Sequence, residues 1–216
     1  MSPVAADDLA PAKEGSPPTR STPRGGPVGP DNLTYTHEGM FQASLRVALG
    51  YRTIVPYSKG NYCGDTDNST ASGNAAVCTG RAPFAFDLEL GYGVARKIDL
   101  VAEFRLGVEG DFDSFAGTGK TGPNVFHVSP GARFFFSDAK TTKLFTTAQV
   151  VFDFTGYEEA GGKSRGNDIG VRNLSGVWLD LERGYGFYAF VGETMTFSRW
   201  WRFELEAGIG VQARYR

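Results

Sequence analysis

The sequence predicts an all-β chain: an eight-stranded antiparallel up-and-down barrel that crosses a membrane, preceded by a disordered N-terminal arm. Three observations predict it. Apolar and polar residues alternate with period two through most of the chain after Glu38. The polar face of that alternation is small and ionic, while the apolar face carries no charge in its clearest segments. The connections between segments alternate between long and short. Composition agrees, since 29 Gly and 13% aromatic residues in 216 suit strands and turns better than helices.

The same arithmetic excludes other classes. With 22 Lys+Arg against 24 Asp+Glu, no basic nucleic-acid surface is expected. Two Cys and two His exclude a multi-finger zinc protein, and neither a metal nor a cofactor is expected. No run approaches the ~18 apolar residues that a membrane-spanning helix needs.

Residues 1–38 are read as a Pro-rich periplasmic arm. Pro3, Pro11, Pro17, Pro18, Pro23, Pro27 and Pro30 lie among Ser, Thr, Gly and Lys, with almost nothing large and apolar to offset the entropy of ordering. The first ten residues lack the basic start and apolar core of a secretory signal, so either the chain is cytosolic or a leader has been removed, and the rest of the sequence decides for removal.

Residues 39–216 are read as the barrel. Phe41, Ala43, Leu45, Val47, Leu49 and Tyr51 form one face of the first strand, against Gln42, Ser44, Arg46, Ala48, Gly50 and Arg52. The second sets Phe84, Phe86, Leu88, Leu90 and Tyr92 against Asp87 and Glu89, and the third sets Leu100, Ala102, Phe104, Leu106 and Val108 against Glu103, Arg105 and Glu109. The fourth alternates Phe126, Val128, Pro130, Ala132 and Phe134 with His127, Ser129, Gly131, Arg133 and Phe135. The fifth alternates Leu144, Thr146, Ala148, Val150 and Phe152 with Phe145, Thr147, Gln149, Val151 and Asp153. The sixth candidate, residues 171–182, is weaker and places Arg172, Trp178 and Asp180 opposite Asn173, Ser175 and Val177. Residues 186–196 are expected to point Tyr188 and Phe190 outward and Glu193 inward. The last strand is the cleanest, with Phe203, Leu205, Ala207, Ile209 and Val211 against Arg202, Glu204, Glu206, Gly208, Gly210, Gln212 and Arg214.

Alternation alone fits any half-buried strand. In a soluble barrel, the alternative reading, the polar face would meet water and would normally be rich in Lys. Here that face mixes Gly, Ala and Ser with Arg, Glu and Asp, and these segments place no Lys on it. Small residues and short-range ion pairs suit a narrow enclosed lumen, and apolar side chains then face lipid. Only a helix or a closed barrel satisfies its backbone groups inside a bilayer. The lumen network is therefore assigned to Arg46, Arg52, Asp87, Glu89, Glu103, Arg105, Glu109, Arg133, Asp153, Arg172, Glu204, Glu206 and Arg214. Paired, these charges plug the barrel; a narrow ion or water path is the alternative.

The long connection Tyr57–Ala82 and the medium connections Asp113–Asn124 and Glu158–Asp168 are assigned to the outside, and the turns at 95–98, 137–143 and near Gly184 to the periplasm. The outside connection at Ser198–Trp200 is short, and Trp200 and Trp201 are read as interfacial anchors. Tyr51, Tyr92 and Tyr215 are placed in an aromatic girdle.

With those strands in place, residues 39–216 resemble the outer-membrane β-barrel superfamily, in particular its small eight-stranded OmpA-like and porin-like members. The resemblance rests on the alternation, on Val128–Ser129–Pro130–Gly131–Ala132–Arg133–Phe134, and on Gly210, Ala213 and Tyr215 of the final strand, which resemble the C-terminal assembly signal. That signal usually ends on Phe or Trp, whereas this chain ends Tyr215–Arg216. The resemblance implies an outer membrane of a Gram-negative bacterium, contact with its lipid, and insertion from the periplasm by the barrel-assembly machinery. It implies a structural envelope role, with outside loops that contact a ligand or partner, or else a low-conductance pore.

Four further features bear on chemistry. Cys63 and Cys78 flank a Gly-, Asn- and Ser-rich loop; a disulfide would staple it, and two free thiols are the alternative. Asp65, Asp67 and Asn68 in that loop read as solvated polar residues rather than a cation site. His127–x–Ser129 resembles the pair of barrel enzymes that deacylate lipid A, but there the pair faces lipid, whereas here the alternation points it inward and Thr141 is not acidic. Gly208–Ile209–Gly210–Val211–Gln212–Ala213 matches a dinucleotide fingerprint that needs a following helix, and none fits in the remaining residues. No catalytic residue is assigned.

Overall fold

The structure is a computed structural model of the chain, and it describes residues 37–55, 57, 77–110, 124–137, 141–155, 157–158, 164–165, 167–181, 184–198 and 200–215. Among the described residues are eleven strands: β1 Phe41–Val55, β2 Cys78–Arg81, β3 Ala85–Ala95, β4 Ile98–Gly110, β5 Asn124–Phe135, β6 Thr142–Asp153, β7 Tyr157–Glu158, β8 Ser164–Arg165, β9 Asp168–Asp180, β10 Tyr185–Thr196 and β11 Trp201–Tyr215. The sheet runs β11-β10-β9-β6-β5-β4-β3-β1-β2, and β11 pairs back onto β1. β2 and β3 lie along the same side of β1 and act as one stave, so the closed barrel has eight. Their join falls at Ala82–Phe84, where Pro83 has no N–H to give to the ladder. β7 and β8 form a separate small hairpin in the β6–β9 connection.

Every barrel pairing is antiparallel. Closure is continuous, from Phe41 opposite Tyr215 to Val55 opposite Trp201. Between β5 and β6 the ladder lapses at Ser129 and Pro130. Pro130 cannot donate, and Gln149 Nε2 instead donates to the Ser129 carbonyl at 3.1 Å. The turn from β9 to β10 carries Gly184 at φ 79°, a left-handed conformation that favours glycine.

The facing follows the polarity. Leu45, Leu88, Leu100, Phe134, Leu205 and Ile209 are exposed on the outer wall, while Arg46, Asp87, Glu103, Arg133 and Glu206 are buried in the lumen. Tyr51, Tyr92 and Tyr215 lie exposed on that wall, and Phe41 packs on Tyr92 with ring centroids 4.8 Å apart.

β10 reverses the expected facing. Tyr188 and Phe190 are buried in the lumen, and Glu193 points outward. The reason lies on the next strand. Tyr188 pairs with Gly210 and Phe190 with Gly208, so two inward positions without side chains leave room for two rings. A Cβ on Gly210 would come within 2.3 Å of the Tyr188 ring, and one on Gly208 within 2.5 Å of the Phe190 ring. Trp200 also departs from expectation. It is fully buried rather than at a lipid interface, whereas Trp201 is half-buried and stacks on Phe203.

Candidate functional site

The lumen is built from the inward half of every stave, and its charges lie in three tiers. The middle tier is a continuous network. Asp87 on β3 accepts from Arg46 Nε of β1 at 2.9 Å and from Arg105 Nε of β4 at 2.7 Å. Arg105 continues to Glu206 on β11 at 2.7 Å and to Glu204 at 3.2 Å. Arg133 on β5 donates to Glu89 at 2.6 Å. Arg172 on β9 pairs with Glu103 and Glu206, and Arg46 also reaches Glu103. Gln149 adds an amide donor to Glu103 at 2.9 Å. Asp87, Glu89 and Glu103 are all 0% exposed, and such burial is tolerable only because each carboxylate meets at least one cation.

The upper tier ties the outer ends of the staves together. Asp153 of β6 accepts from Arg202 at 2.9 Å and lies 3.4 Å from His127 Nε2. Asp168 accepts from Thr196 at 2.6 Å and from the Ser198 amide at 2.7 Å, which pins the short β10–β11 connection. Tyr57 donates to the Phe197 carbonyl at 2.7 Å, drawing the end of β1 to the same corner.

The lower tier closes the mouth near the turns. Lys143 and Arg214 each approach Asp180 at 2.6 Å. His37 enters from before β1, with Nδ1 2.9 Å from Asp99 and Nε2 3.6 Å from Asp180. Gln42 also donates to Asp99, at 3.1 Å. Glu38 bridges to Gly93 beside it, so these two residues contact the barrel although the sequence reading assigned them to the arm.

Between the lower and middle tiers lies an apolar layer. Phe135, Phe145, Trp178, Tyr188, Phe190 and Leu174 are buried together. Trp178 stacks on Tyr188 at 4.7 Å, and His37 packs edge-on against Phe135 at 4.4 Å. The Arg133 guanidinium caps the layer, 4.7 Å from the Trp178 ring and 5.3 Å from Phe145.

Most of the expected network residues come together, with three differences. Arg214 joins the lower tier, Asp153 joins the upper tier, and Arg52 is buried near the outer end of β1, opposite Glu204. The Glu109 side chain, the Cys63–Cys78 pairing, and Asp65, Asp67 and Asn68 lie outside the described residues. Seven buried charged residues and histidines lie outside the network assigned from sequence: His37, Asp99, His127, Lys143, Asp168, Asp180 and Arg202, of which the alternation had placed His127, Asp180 and Arg202 inward. Extending the alternation of β4 and β6 by one inward position would have found Asp99 and Lys143. Nothing in the sequence marks His37. His127 and Ser129 both face the lumen, and Ser129 Oγ has no hydrogen-bond partner, so the two do not form a nucleophile–base pair.

No protein-family model matches the chain, and no curated protein matches it. Solved structures do. Neisserial surface protein A is similar at 14% identity and TM-score 0.50, over 81% of this chain and 99% of that one. The N-terminal β-barrel domain of Pseudomonas aeruginosa OprF is similar at 9% identity and TM-score 0.48, over 80% and 97%. Ail of Yersinia pestis is similar at 12% identity and TM-score 0.48, over 81% and 99%. The fold is that of the small eight-stranded outer-membrane barrels.

Proposed function

We propose that the chain is an integral outer-membrane protein with a structural envelope role, whose lumen is a plug and whose outside connections contact a ligand or partner. The observation that carries this reading is the inversion of polarity. The outer wall is largely apolar, with Leu45 at 50% and Ile209 at 63% exposure, while, β2 and Glu193 apart, the described ionic residues of the barrel strands are buried in the lumen. A protein in water would place these faces the other way round. Insertion then needs the barrel-assembly machinery, and the surrounding partner is outer-membrane lipid; no nucleic acid and no cofactor take part. We assign it no enzymatic step.

The plug, rather than the low-conductance pore, is favoured by the apolar layer under the charged tiers. An ion moving down the lumen would leave paired carboxylates and then meet stacked Trp178 and Tyr188. Two measurements test the reading. Boiled and unboiled samples should migrate differently on a denaturing gel, and equal mobility would refute a stable membrane barrel. Planar-bilayer recordings should show no discrete steps, and regular steps would replace the plug with a pore.

A further inference from the structure

On the outer wall, apart from β2, Thr53 near the end of β1 and Thr142 at the start of β6, every outward residue of the described barrel strands is apolar except four. These are Thr146 on β6, Asn173 and Ser175 on β9, and Glu193 on β10. They are not scattered. Thr146 pairs with Ser175 across β6 and β9, and Asn173 pairs with Glu193 across β9 and β10. They form one patch at mid-height, with Ile169 and Val171 above and Val177 and Leu179 below on the same strand.

The hydroxyls and the amide are partly satisfied within the patch. Asn173 Nδ2 donates to Thr146 at 3.2 Å, Ser175 donates to Asn173 Oδ1 at 3.2 Å, and Thr146 and Ser175 lie 3.0 Å apart. Each Asn173 amide keeps one further N–H and one further lone pair, because an amide offers two of each. Glu193 makes no hydrogen bond or ion pair with any described residue, and it stands on the lipid-facing side. Asn173, Glu193 and their apolar neighbours Val150, Val171, Met195 and Phe203 line a groove of about 460 Å³. Acyl chains supply no hydrogen bonds, so lipid leaves all of this capacity unused.

We propose that this patch is the interface of a homodimer in the membrane, formed with a second copy of this chain about a two-fold axis along the membrane normal. The inference rests on the membrane-barrel reading above. Its basis is self-complementarity. A two-fold axis passing through β9 sets Asn173 against Asn173, and a primary amide pairs with its own copy by exchanging one donor and one acceptor. The same rotation reverses the order β6-β9-β10, so β10 of one copy meets β6 of the other. Glu193 of each copy is thereby kept away from the second Glu193. The small outward Ala148 and Ala189 let the two walls approach.

The test is crosslinking in bilayers with the full chain, after Cys63→Ser and Cys78→Ser remove the native thiols. Asn173→Cys should form an oxidised species of twice the monomer mass in lipid vesicles. Leu90→Cys, on the β3 flank, should form at least tenfold less. The combined Asn173→Leu and Glu193→Leu variant, followed by sedimentation in detergent, should raise the dimer dissociation constant at least tenfold while keeping the heat-modifiable shift. Equal crosslinking at Leu90 and Asn173, no dimer from Asn173→Cys, or a dimer unchanged by the leucines would each overturn the proposal. Loss of the heat-modifiable shift in the unsubstituted chain would instead overturn the membrane reading beneath it.

Discussion

Arg105 is the most informative single side chain in the barrel. It donates to Asp87 at 2.7 and 3.0 Å and to Glu206 at 2.7 Å, reaches Glu204 at 3.2 Å, and is 3% exposed. Arg105→Met keeps most of the volume and removes the charge. Asp87 retains Arg46 and a longer contact to Arg172 at 3.5 Å, and Glu206 retains Arg172. Glu204 loses its described ion-pair contact outright. Breaking a buried pair by removing one partner costs about 3–5 kcal/mol in a dry site. With a urea slope of about 2 kcal/mol per M, that lowers the unfolding midpoint by about 1.5–2.5 M. The assay is urea unfolding in lipid vesicles followed by tryptophan fluorescence, with Arg105→Lys alongside, which keeps the charge but not the fork and should lose less. A loss under ~1 kcal/mol for the methionine variant, the range of exposed pairs, would mean that water fills the lumen and solvates the stranded carboxylates. That result would refute the sealed plug.

Three further outcomes follow from the same geometry. Gly210→Val should force the Tyr188 ring from its place and cost about 1–3 kcal/mol in the same unfolding assay, as overpacking does; a neutral effect would contradict the assigned facing of β10. Trp178→Ala removes the centre of the apolar layer and should lower stability by about 3–5 kcal/mol, read from the temperature at which the heat-modifiable shift is lost. Leu88→Arg puts a charge on the lipid-facing wall and should reduce folding into vesicles by about 2–4 kcal/mol if the position lies near the midplane, with Asp87 and its partners untouched; an unchanged yield in vesicles would argue that this wall does not meet lipid.

The staves with charged inward faces were legible residue by residue. In β1, β3, β4 and β11 two or more charges stand on one parity and none on the other, and one misplaced position would put Arg or Glu into lipid, so the parity admits one solution. β9 was legible for the same reason, through Arg172 and Asp180. The tiers were not legible as tiers, because they depend on the stagger between staves, which the alternation of a single strand does not contain. His37 illustrates the limit. It lies in no alternating segment, and it enters the lumen because Asp99 and Asp180, on strands 62 residues and more away, meet at the lower mouth.

β10 shows why one face could be read backwards. Tyr188, Phe190 and Val191 are apolar, Gly192 is silent, and Glu193 is the only charge, so polarity votes for placing Glu193 inside. Volume decides otherwise. An inward Glu193 would carry Ala189 and Val191 in with it and leave the space over Gly208 and Gly210 unfilled, with the Trp178 ring lacking its 4.7 Å stacking partner. Two buried rings and their contacts outweigh the exposure of one carboxylate, because close packing is lost outright when a cavity opens. In this barrel the ionic tiers therefore set the parity of the staves that contribute to them, and ring packing against bare glycines sets the parity of β10, whose one charge lies outside the tiers. The cost of that second solution is displaced onto the outer wall, where Glu193 stands beside Asn173 in need of a partner.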